Sequence, residues 1–491
     1  MSSSPEFKKS LNLFDSTAIV AGSMIGSGIF IVSADIARQV GSPGWLIIVW
    51  IVSGIMTTFA ALSYGELAGM FPHAGGQYVY LKEAYNPMVG FLYGWTLFLV
   101  IQTGTIAAVG MAFAKFLGVM IPSISESVIW FHFHFLKFGP AQIVAILSIV
   151  FLSWVNTRGI NAGKSIQNAF TSGKVFLLLM FIIVGLAFAS NSGAIHINRQ
   201  IFWEPSQVKN GINYPIGGFA LIAAIGMAMV GSLFSSDAWN NITFTAAEVI
   251  NPRKNIPLSL FFGTFIVTVM YLLANVVYIT ALPLRGDPAG QSVIERGMQF
   301  ALNDRLGTAS FSGILGNYAV IVMAIFIVIS TFGCNNGLIL SGARVYYAMA
   351  ADRLFFRRTG NLNKKGVPAN GLLIQCIWAS LLCLSGTYSQ LLDYVVFAVL
   401  IFYVLTIIGL FILRKKKPDM ERTYKAFGYP VIPLSYILMA MTVMFILLIF
   451  KPDYTWPGLI VVLLGIPVYY LYNRKNIKQR RKLKKSAASM E

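Results

Sequence analysis

The chain has 491 residues, of which 56% are hydrophobic and only 11% are charged. A soluble protein carries about a quarter charged residues, so this composition excludes a soluble globular enzyme or binding module. The formal net charge of +19 does not indicate a nucleic-acid partner, because the basic residues lie mostly in loops between long apolar segments.

Those apolar segments predict an all-α polytopic membrane protein with about 12 transmembrane helices. The predicted spans cover residues 12–36, 44–71, 88–120, 140–157, 166–190, 216–250, 257–282, 312–350, 369–386, 390–413, 430–450 and 457–473. Most Lys and Arg residues fall in loops on the N-terminal side of the membrane. This asymmetry predicts that both termini are cytoplasmic. We expect a multi-pass protein of the plasma (inner) membrane, in contact with the lipid bilayer.

The first predicted span contains a stretch that disfavours a continuous helix, Ser23–Gly28, with two Gly and two Ser in six residues. Broken backbone at membrane depth persists only where protein, water or a ligand satisfies its polar groups. A half-helix beginning near Ser27 offers N–H groups and a positive dipole end to a carboxylate. A half-helix ending near Ser23 and Met24 offers carbonyls to an ammonium group. The stretch therefore predicts a binding site for an amino acid.

The sixth predicted span contains a second run of poor helix formers, Gly231–Trp239. The second interrupted span comes five spans after the first, and because five is odd it enters the membrane from the opposite face. Paired interruptions in two halves of a transporter mark its binding site. The pattern predicts a 5+5 inverted repeat with discontinuous helices 1 and 6. The predicted units are a tail (1–10), a first repeat (11–192), an inverted second repeat (212–415), helices 11 and 12 (428–473) and a basic tail (474–491).

Polar groups elsewhere in the spans are few. Gln102 and Thr105 in the third span must face protein or a cavity. Glu66 and Glu248 lie near cytoplasmic helix ends, where we expect them to pair with Arg253, Lys254 or Arg344. No His lies in a predicted span and no carboxylate–histidine cluster is evident, which argues against an intramembrane enzyme. We expect no metal site and no cofactor. A channel is also disfavoured, because a channel has no need of a two-ended zwitterion site.

Four stretches together resemble the amino acid–polyamine–organocation superfamily, and within it the L-type amino-acid transporter (light-chain-like) branch. They are Gly26–Phe30; Tyr64–Leu67 with Pro72 and Gly75–Tyr78; Glu248 with Asn251–Pro257; and Arg414–Pro418 with Tyr429 and Pro430. They occur in the family's order over nearly the whole chain. The resemblance implies a LeuT-type fold and amino-acid transport.

The resemblance also implies roles for individual residues. The substrate carboxylate would take N–H groups of Gly26, Ser27 and Gly28, and the ammonium would take carbonyls of Met24, Phe234 and Asp237. Phe234 would also act as a gate, and Trp239 would line the pocket. The predicted substrate-binding residues are Met24, Ile25, Gly26, Ser27, Gly28, Gln102, Thr105, Phe234, Ser235, Asp237 and Trp239.

Lys174 in the fifth span resembles a lysine of the family. In sodium-coupled relatives a sodium ion lies at the position that the ammonium of this lysine would occupy. The resemblance therefore implies a coupling role for Lys174 and transport without sodium. The alternative is a lysine that snorkels to the cytoplasmic face. Asp237 departs from many neutral-selective members. It could accept a cationic side chain, titrate during coupling, or pair with a donor such as Asn240.

The family's light chains join a heavy chain through a cysteine in the loop between spans three and four. This chain has no cysteine there, so we do not expect a disulfide-linked heavy chain. Its three Cys lie in predicted spans and are interpreted as buried structural thiols. The sequence thus favours a sodium-independent exchanger (antiporter) of neutral L-amino acids working by alternating access. The alternative is proton-coupled or exchange transport of cationic amino acids or polyamines.

Overall fold

The computed structural model describes residues 7–133, 136–384 and 388–487 and is almost wholly helical. The helices in chain order are α1 (Leu13–Met24), α2 (Val32–Val40), α3 (Pro43–Met70), α4 (Gln77–Ala84), α5 (Pro87–Thr96), α6 (Gln102–Met120), α7 (Pro140–Thr157), α8 (Ile160–Phe188), α9 (Ser192–Gln200), α10 (Gly218–Ser235), α11 (Asn241–Phe244), α12 (Pro252–Ala281), α13 (Val293–Arg296), α14 (Leu306–Leu315), α15 (Tyr318–Ala351), α16 (Ala369–Leu382), α17 (Tyr388–Lys416), α18 (Val431–Phe450) and α19 (Pro452–Ala487). Two short antiparallel hairpins complete the fold, β1 (Phe131–Phe133) with β2 (Leu136–Phe138) and β3 (Ser206–Lys209) with β4 (Ile212–Pro215).

The prediction of a polytopic helical membrane protein is confirmed. Within the described ranges, eleven helical segments are long and apolar enough to cross a membrane. One of them joins α5 to α6 through a π-helical turn at Leu97–Ile101. The ninth predicted span corresponds to α16, which has only 14 residues and is shorter than these eleven segments.

Parts of both predicted tails have defined structure. Residues 1–6 and 488–491 lie outside the described residues. Helix α19 continues well past 473 to Ala487, because the segment is rich in Lys, Arg and Gln, which are good helix formers. At the other end, Phe7 packs edge-on against Tyr347 with ring centroids 4.9 Å apart.

The N-terminal segment pairs with the backbone that follows α11. The N–H groups of Ser10 and Leu11 both donate to the carbonyl of Glu248, at 2.9 and 3.0 Å. The N–H of Ile250 donates to the carbonyl of Leu11 at 2.8 Å. Lys164, near the start of α8, donates to the carbonyl of Ser10 at 2.9 Å. We call the membrane face at which α1 begins the proximal face, and the opposite one the distal face.

The two interrupted segments run antiparallel through the centre of the molecule. The first runs from the proximal face through α1 and α2, and the second returns through α10 and α11. Helix α2 packs on α10, and α1 packs on α11, α8, α12 and α15. This arrangement places the two interruptions side by side.

Asp15 fixes the start of α1. Its side chain and that of Asn12 form a reciprocal capping box. Its carboxylate also accepts from Lys164 at 2.7 Å and from Asn168 at 2.6 Å, both on α8. Asp15 therefore holds the proximal end of α1 against α8.

Ion pairs with buried carboxylates lie at the proximal face. Glu248 accepts from two guanidinium nitrogens of Arg344, at 3.0 and 3.2 Å, as the sequence predicted. Glu66 does not pair with the predicted basic residues. It accepts from Arg414 at 2.6 and 3.0 Å and from Arg422 at 3.1 Å. Those two partners are more than 340 positions away, and the fold brings them to the end of α3.

Replacing Arg344 with Met should lower the free energy of unfolding by about 3–5 kcal/mol, because it leaves the Glu248 carboxylate buried without its partner. The pair is almost fully enclosed, with side-chain exposures of 1% and 0%. Chemical unfolding in detergent micelles measures the change. The matched control is Arg253→Met at the exposed pair with Glu421, where exposures are 47% and 69%; it should cost less than about 1 kcal/mol. Equal losses in the two variants would contradict this prediction.

Candidate functional site

The first interruption forms at the predicted stretch. Helix α1 ends at Met24, and Ile25 adopts an extended conformation with φ −73° and ψ 100°. A single 3₁₀ turn follows at Gly28–Phe30, and α2 begins only at Val32. The first N–H groups of such a turn have no partner inside it. The interruption therefore presents N–H groups on one side and the carbonyl end of α1 on the other.

The second interruption follows Ser235, where α10 ends. The N–H of Asp237 donates at 3.1 Å to the carbonyl of Phe234, which is one of the carbonyls predicted to hold an ammonium group. Ala238 has a left-handed φ of +66°, an unusual conformation for a residue with a Cβ atom. Strained backbone of this kind is often found at functional sites.

The two interruptions touch each other. A Cβ atom added at Gly28 would lie 2.2 Å from Ser235 Oγ and 3.2 Å from Ser235 Cα. From α12, the Tyr271 hydroxyl lies within hydrogen-bond distance of the carbonyls of Met24, at 3.0 Å, and Ser235, at 3.2 Å, between which its one proton is shared. One phenol therefore bridges the carbonyl ends of both half-helices. A carbonyl has two acceptor lone pairs, so Met24 keeps the capacity for a second donor.

Lys174 points into the first interruption. Its ammonium donates to the carbonyl of Ile25 at 2.7 Å and to that of Gly22, and it lies 3.5 Å from the carbonyl of Ser330 on α15. The Ser330 hydroxyl contacts the carbonyls of Ile25 and Gly26 at 3.3 and 3.2 Å. The side chain is fully buried, so the snorkelling interpretation is wrong. A fixed cation thus occupies a cluster of carbonyl oxygens that links α1, α8 and α15.

Asp237 lies between two small cavities. Gln102, Thr105 and Asp237 line the first, which has a volume of about 10 Å³, and Asp237 and Trp239 line the second, of about 20 Å³. Each has room for about one water molecule. The other predicted residues, Met24–Gly28, Phe234 and Ser235, line neither of them.

Asp237 does not pair with Asn240, the donor named in one of the three alternatives for its role. Its carboxylate accepts from the Tyr403 hydroxyl of α17 at 2.6 Å. Asn240 instead donates to the side chain of Gln77 at 3.0 Å. The side chains of Asp237 and Tyr403 line both cavities.

Trp239 belongs to a buried aromatic cluster. Its ring lies 4.8 Å from that of Tyr64 and 5.1 Å from that of Tyr403, measured between centroids. Gln102 and Thr105 both donate to backbone carbonyls, to Leu338 at 2.7 Å and to Ile101 at 2.6 Å. The polar residues of α6 are thus held in place beside the cavity.

Sequence reasoning missed three residues of this region: Tyr271, Tyr403 and Ser330. Each carries a hydroxyl at membrane depth, where a buried hydroxyl needs a hydrogen-bond partner. This need for a partner is the one sequence feature that could have pointed to them. Hydroxyl side chains are common in spans, however, and usually bond to their own helix, so these three residues do not stand out in the sequence.

The whole chain was compared with known proteins. The sequence model of the family described as amino acid permease matches residues 11–469. The chain is 28% identical over 466 residues to the large neutral amino acids transporter small subunit 2 of Mus musculus, covering 94% of this chain and 81% of that protein. It is 28% identical over 474 residues to the b(0,+)-type amino acid transporter 1 of Homo sapiens (95% and 88% covered), and 27% identical over 471 residues to the Asc-type amino acid transporter 1 of Mus musculus (94% and 81%).

Proposed function

Since this chain belongs to the amino acid permease family, it is an amino-acid transporter, and we propose that it exchanges neutral L-amino acids without sodium by alternating access. The observation that carries this proposal is the meeting of two interrupted helices next to Lys174. Family membership points away from enzymatic activity, and the helical segments make it a multi-pass membrane protein.

The two interruptions would bind the carboxylate and the ammonium group of an amino acid, not its side chain. The N–H groups of Gly26, Ser27 and Gly28 begin the turn that leads into α2, where a carboxylate is favoured by the helix dipole. The carbonyls of Met24 and Asp237 would accept the ammonium group. Phe234, next to the second interruption, would close over the bound molecule.

Lys174 supports sodium independence. A positive charge held among the carbonyls of Gly22, Ile25 and Ser330 supplies what a bound sodium ion would supply there. Oxygen ligands of this kind are the ligands that hard cations prefer. While the side chain of Lys174 is protonated, its ammonium makes a second cation at this position electrostatically unfavourable.

Selectivity for neutral substrates is supported by the name of one relative, which transports large neutral amino acids. We further propose the 5+5 inverted repeat, with cytoplasmic termini, and function without a disulfide-linked heavy chain. The relative is called a small subunit, but the three cysteines of this chain are all buried and unpaired. A partner would have to bind without such a bond.

Uptake of labelled leucine into sodium-free proteoliposomes tests the proposal. Vesicles preloaded with unlabelled leucine should accumulate label, while empty vesicles and protein-free liposomes should not. Uptake into empty vesicles that requires an inward proton gradient would overturn exchange in favour of symport. No uptake of any neutral amino acid would overturn the proposed substrate class.

Asp237 favours a second candidate, the transport of cationic amino acids. Its carboxylate lines both cavities, and only one of its oxygens accepts from Tyr403 in the described part of the chain. Buried intramembrane carboxylates are costly and usually functional. Here the carboxylate would accept from the ammonium or guanidinium end of a substrate in addition to its hydrogen bond from Tyr403.

If Asp237 binds a cationic side chain, Asp237→Asn should lower the ratio of arginine to leucine uptake at least tenfold. Asparagine keeps the acceptor for Tyr403 and removes only the charge; a hydrogen bond to a charged group contributes about 1.5–3 kcal/mol. Competition assays in proteoliposomes measure the ratio. Asp453→Asn, at an exposed carboxylate that begins α19, should leave it unchanged. An unaltered ratio in Asp237→Asn would exclude the cationic candidate at this site.

A further inference from the structure

A large apolar groove lies away from the two interruptions, between α8, α14 and α15. Its volume is about 290 Å³, against about 10 and 20 Å³ for the cavities beside Asp237. The walls carry only Leu, Met, Phe, Val and Ile side chains. Water would find no polar partner there, so the groove suits an apolar occupant.

The floor of the groove is a packed aromatic surface. Phe181 of α8 stacks on Phe311 of α14 with ring centroids 4.7 Å apart. Both rings are buried, as are Met323 and Phe326 of α15. The floor is therefore preformed by residues that contact one another, and it does not depend on an occupant for its shape.

The rim of the groove is exposed. Met180 on α8 and Val322 and Ile325 on α15 are all more than a third accessible. Both helices are long and apolar enough to cross the membrane, so what surrounds this rim is lipid hydrocarbon. The groove opens sideways into the bilayer.

Aromatic residues mark its depth. Tyr318 lies one helical turn before Val322 and is 75% exposed, and Phe188 lies one turn after Val184, at the end of α8, and is 72% exposed. Exposed Tyr residues at the ends of spans sit at the level of the lipid headgroups, and Phe188 marks the end of α8 on the same side. The groove thus begins about one turn below the headgroups of the distal leaflet.

We propose that the acyl chain of a phospholipid from the distal leaflet occupies this groove. An empty space of this size forfeits dispersion contacts along all of its walls. A flexible unbranched hydrocarbon chain reaches this depth from the headgroup level and is the most abundant apolar group there. It would bind by filling the groove, with no polar contact required.

The occupant would lie close to the first interruption. Phe30, the last residue of the 3₁₀ turn, packs on Phe326 with ring centroids 5.1 Å apart and on Phe181 at 6.0 Å. Both rings belong to the floor of the groove. The acyl chain would therefore be separated from the turn by a single layer of side chains.

Photolabelling of the full chain in vesicles tests this site. The probe is a phosphatidylcholine with a diazirine in the middle of one acyl chain, and mass spectrometry locates the adducts. We expect adducts on the buried floor residues Phe181, Met323 and Phe326, which lipids at an ordinary protein surface do not reach. Val322→Trp, which fills the groove from its rim, should reduce those adducts at least fivefold.

Neighbouring positions provide matched controls. Ile321 and Val322 are both 48% exposed, but only Val322 lines the groove, so Ile321→Trp should label like the unmodified chain. On the other wall, Met180→Trp and Leu179→Trp form a second pair, which keeps the test valid if one variant fails to fold. Adducts confined to exposed residues, or equal labelling of the floor in both members of a pair, would overturn the proposal. Labelling by a diazirine fatty acid but not by the phospholipid would overturn it as well.

Discussion

Replacing Gly28 with Ala should reduce amino-acid exchange at least tenfold. The added Cβ atom would lie 2.2 Å from Ser235 Oγ, 2.9 Å from Ser235 Cβ and 3.2 Å from Ser235 Cα. Rotating the serine side chain relieves only the first contact, because Cβ and Cα move only with the backbone of α10. Overpacking of this kind costs about 1–3 kcal/mol, and here it forces apart the two interruptions. Counterflow in proteoliposomes measures the loss.

The control for this variant is Gly173→Ala. Gly173 lies in α8, beside Lys174 in sequence, and an added Cβ atom there meets nothing within 4 Å. Its exchange rate should stay within twofold of that of the unmodified chain. Normal exchange by Gly28→Ala would show that close contact between the two interruptions is not needed for transport.

Replacing Lys174 with Met should abolish exchange and destabilise the protein. Methionine has a similar length and no donor, so the carbonyls of Gly22 and Ile25 lose the ammonium that satisfies them. An unsatisfied buried polar group costs about 1–3 kcal/mol. The Ser330 hydroxyl still reaches the carbonyl of Ile25 at 3.3 Å, so the loss falls mainly on the carbonyl of Gly22 and weakens the junction of α1 with α8. Thermal unfolding in detergent and counterflow in proteoliposomes measure the two effects.

Lys209→Met serves as the comparison, because Lys209 lies exposed in β3 and its loss removes one positive charge from the protein in the same way. It should change neither thermal stability nor exchange. If Lys174→Met exchanged leucine at the normal rate, the proposed role of the ammonium in place of sodium would be wrong. Reduced stability with normal exchange would assign Lys174 a structural role only.

The positions of both interruptions were predictable because they depend on local composition. Gly and Ser at 23–28 end α1 within one residue of the predicted carbonyl end, and the run at 231–239 contains the end of α10. The apolar spans were predictable for the same reason. Short helices such as α9 and α13, which lie between spans, left no comparable hydropathy signal.

The direction of side chains was not predictable from local sequence. A lysine near the end of a span can extend to the membrane face or turn inward, and only the carbonyls brought by α1 and α15 decide for Lys174. The partners of Glu66 on α17 and beyond it, and that of Asp237 at Tyr403, are far away in sequence. Contacts of this range depend on how the helices pack.

The pairing of Ser10 and Leu11 with Glu248 and Ile250 has a consequence for the kinetics of the cycle. Three backbone hydrogen bonds join the start of α1 to the chain that follows α11, so these two segments cannot separate at the proximal face while the bonds remain. Each opening toward that face would release the N–H groups of Ser10, Leu11 and Ile250 to water. The hydrogen-exchange rate of these three amides therefore reports how often the proximal face opens, and it can be measured in the absence of substrate.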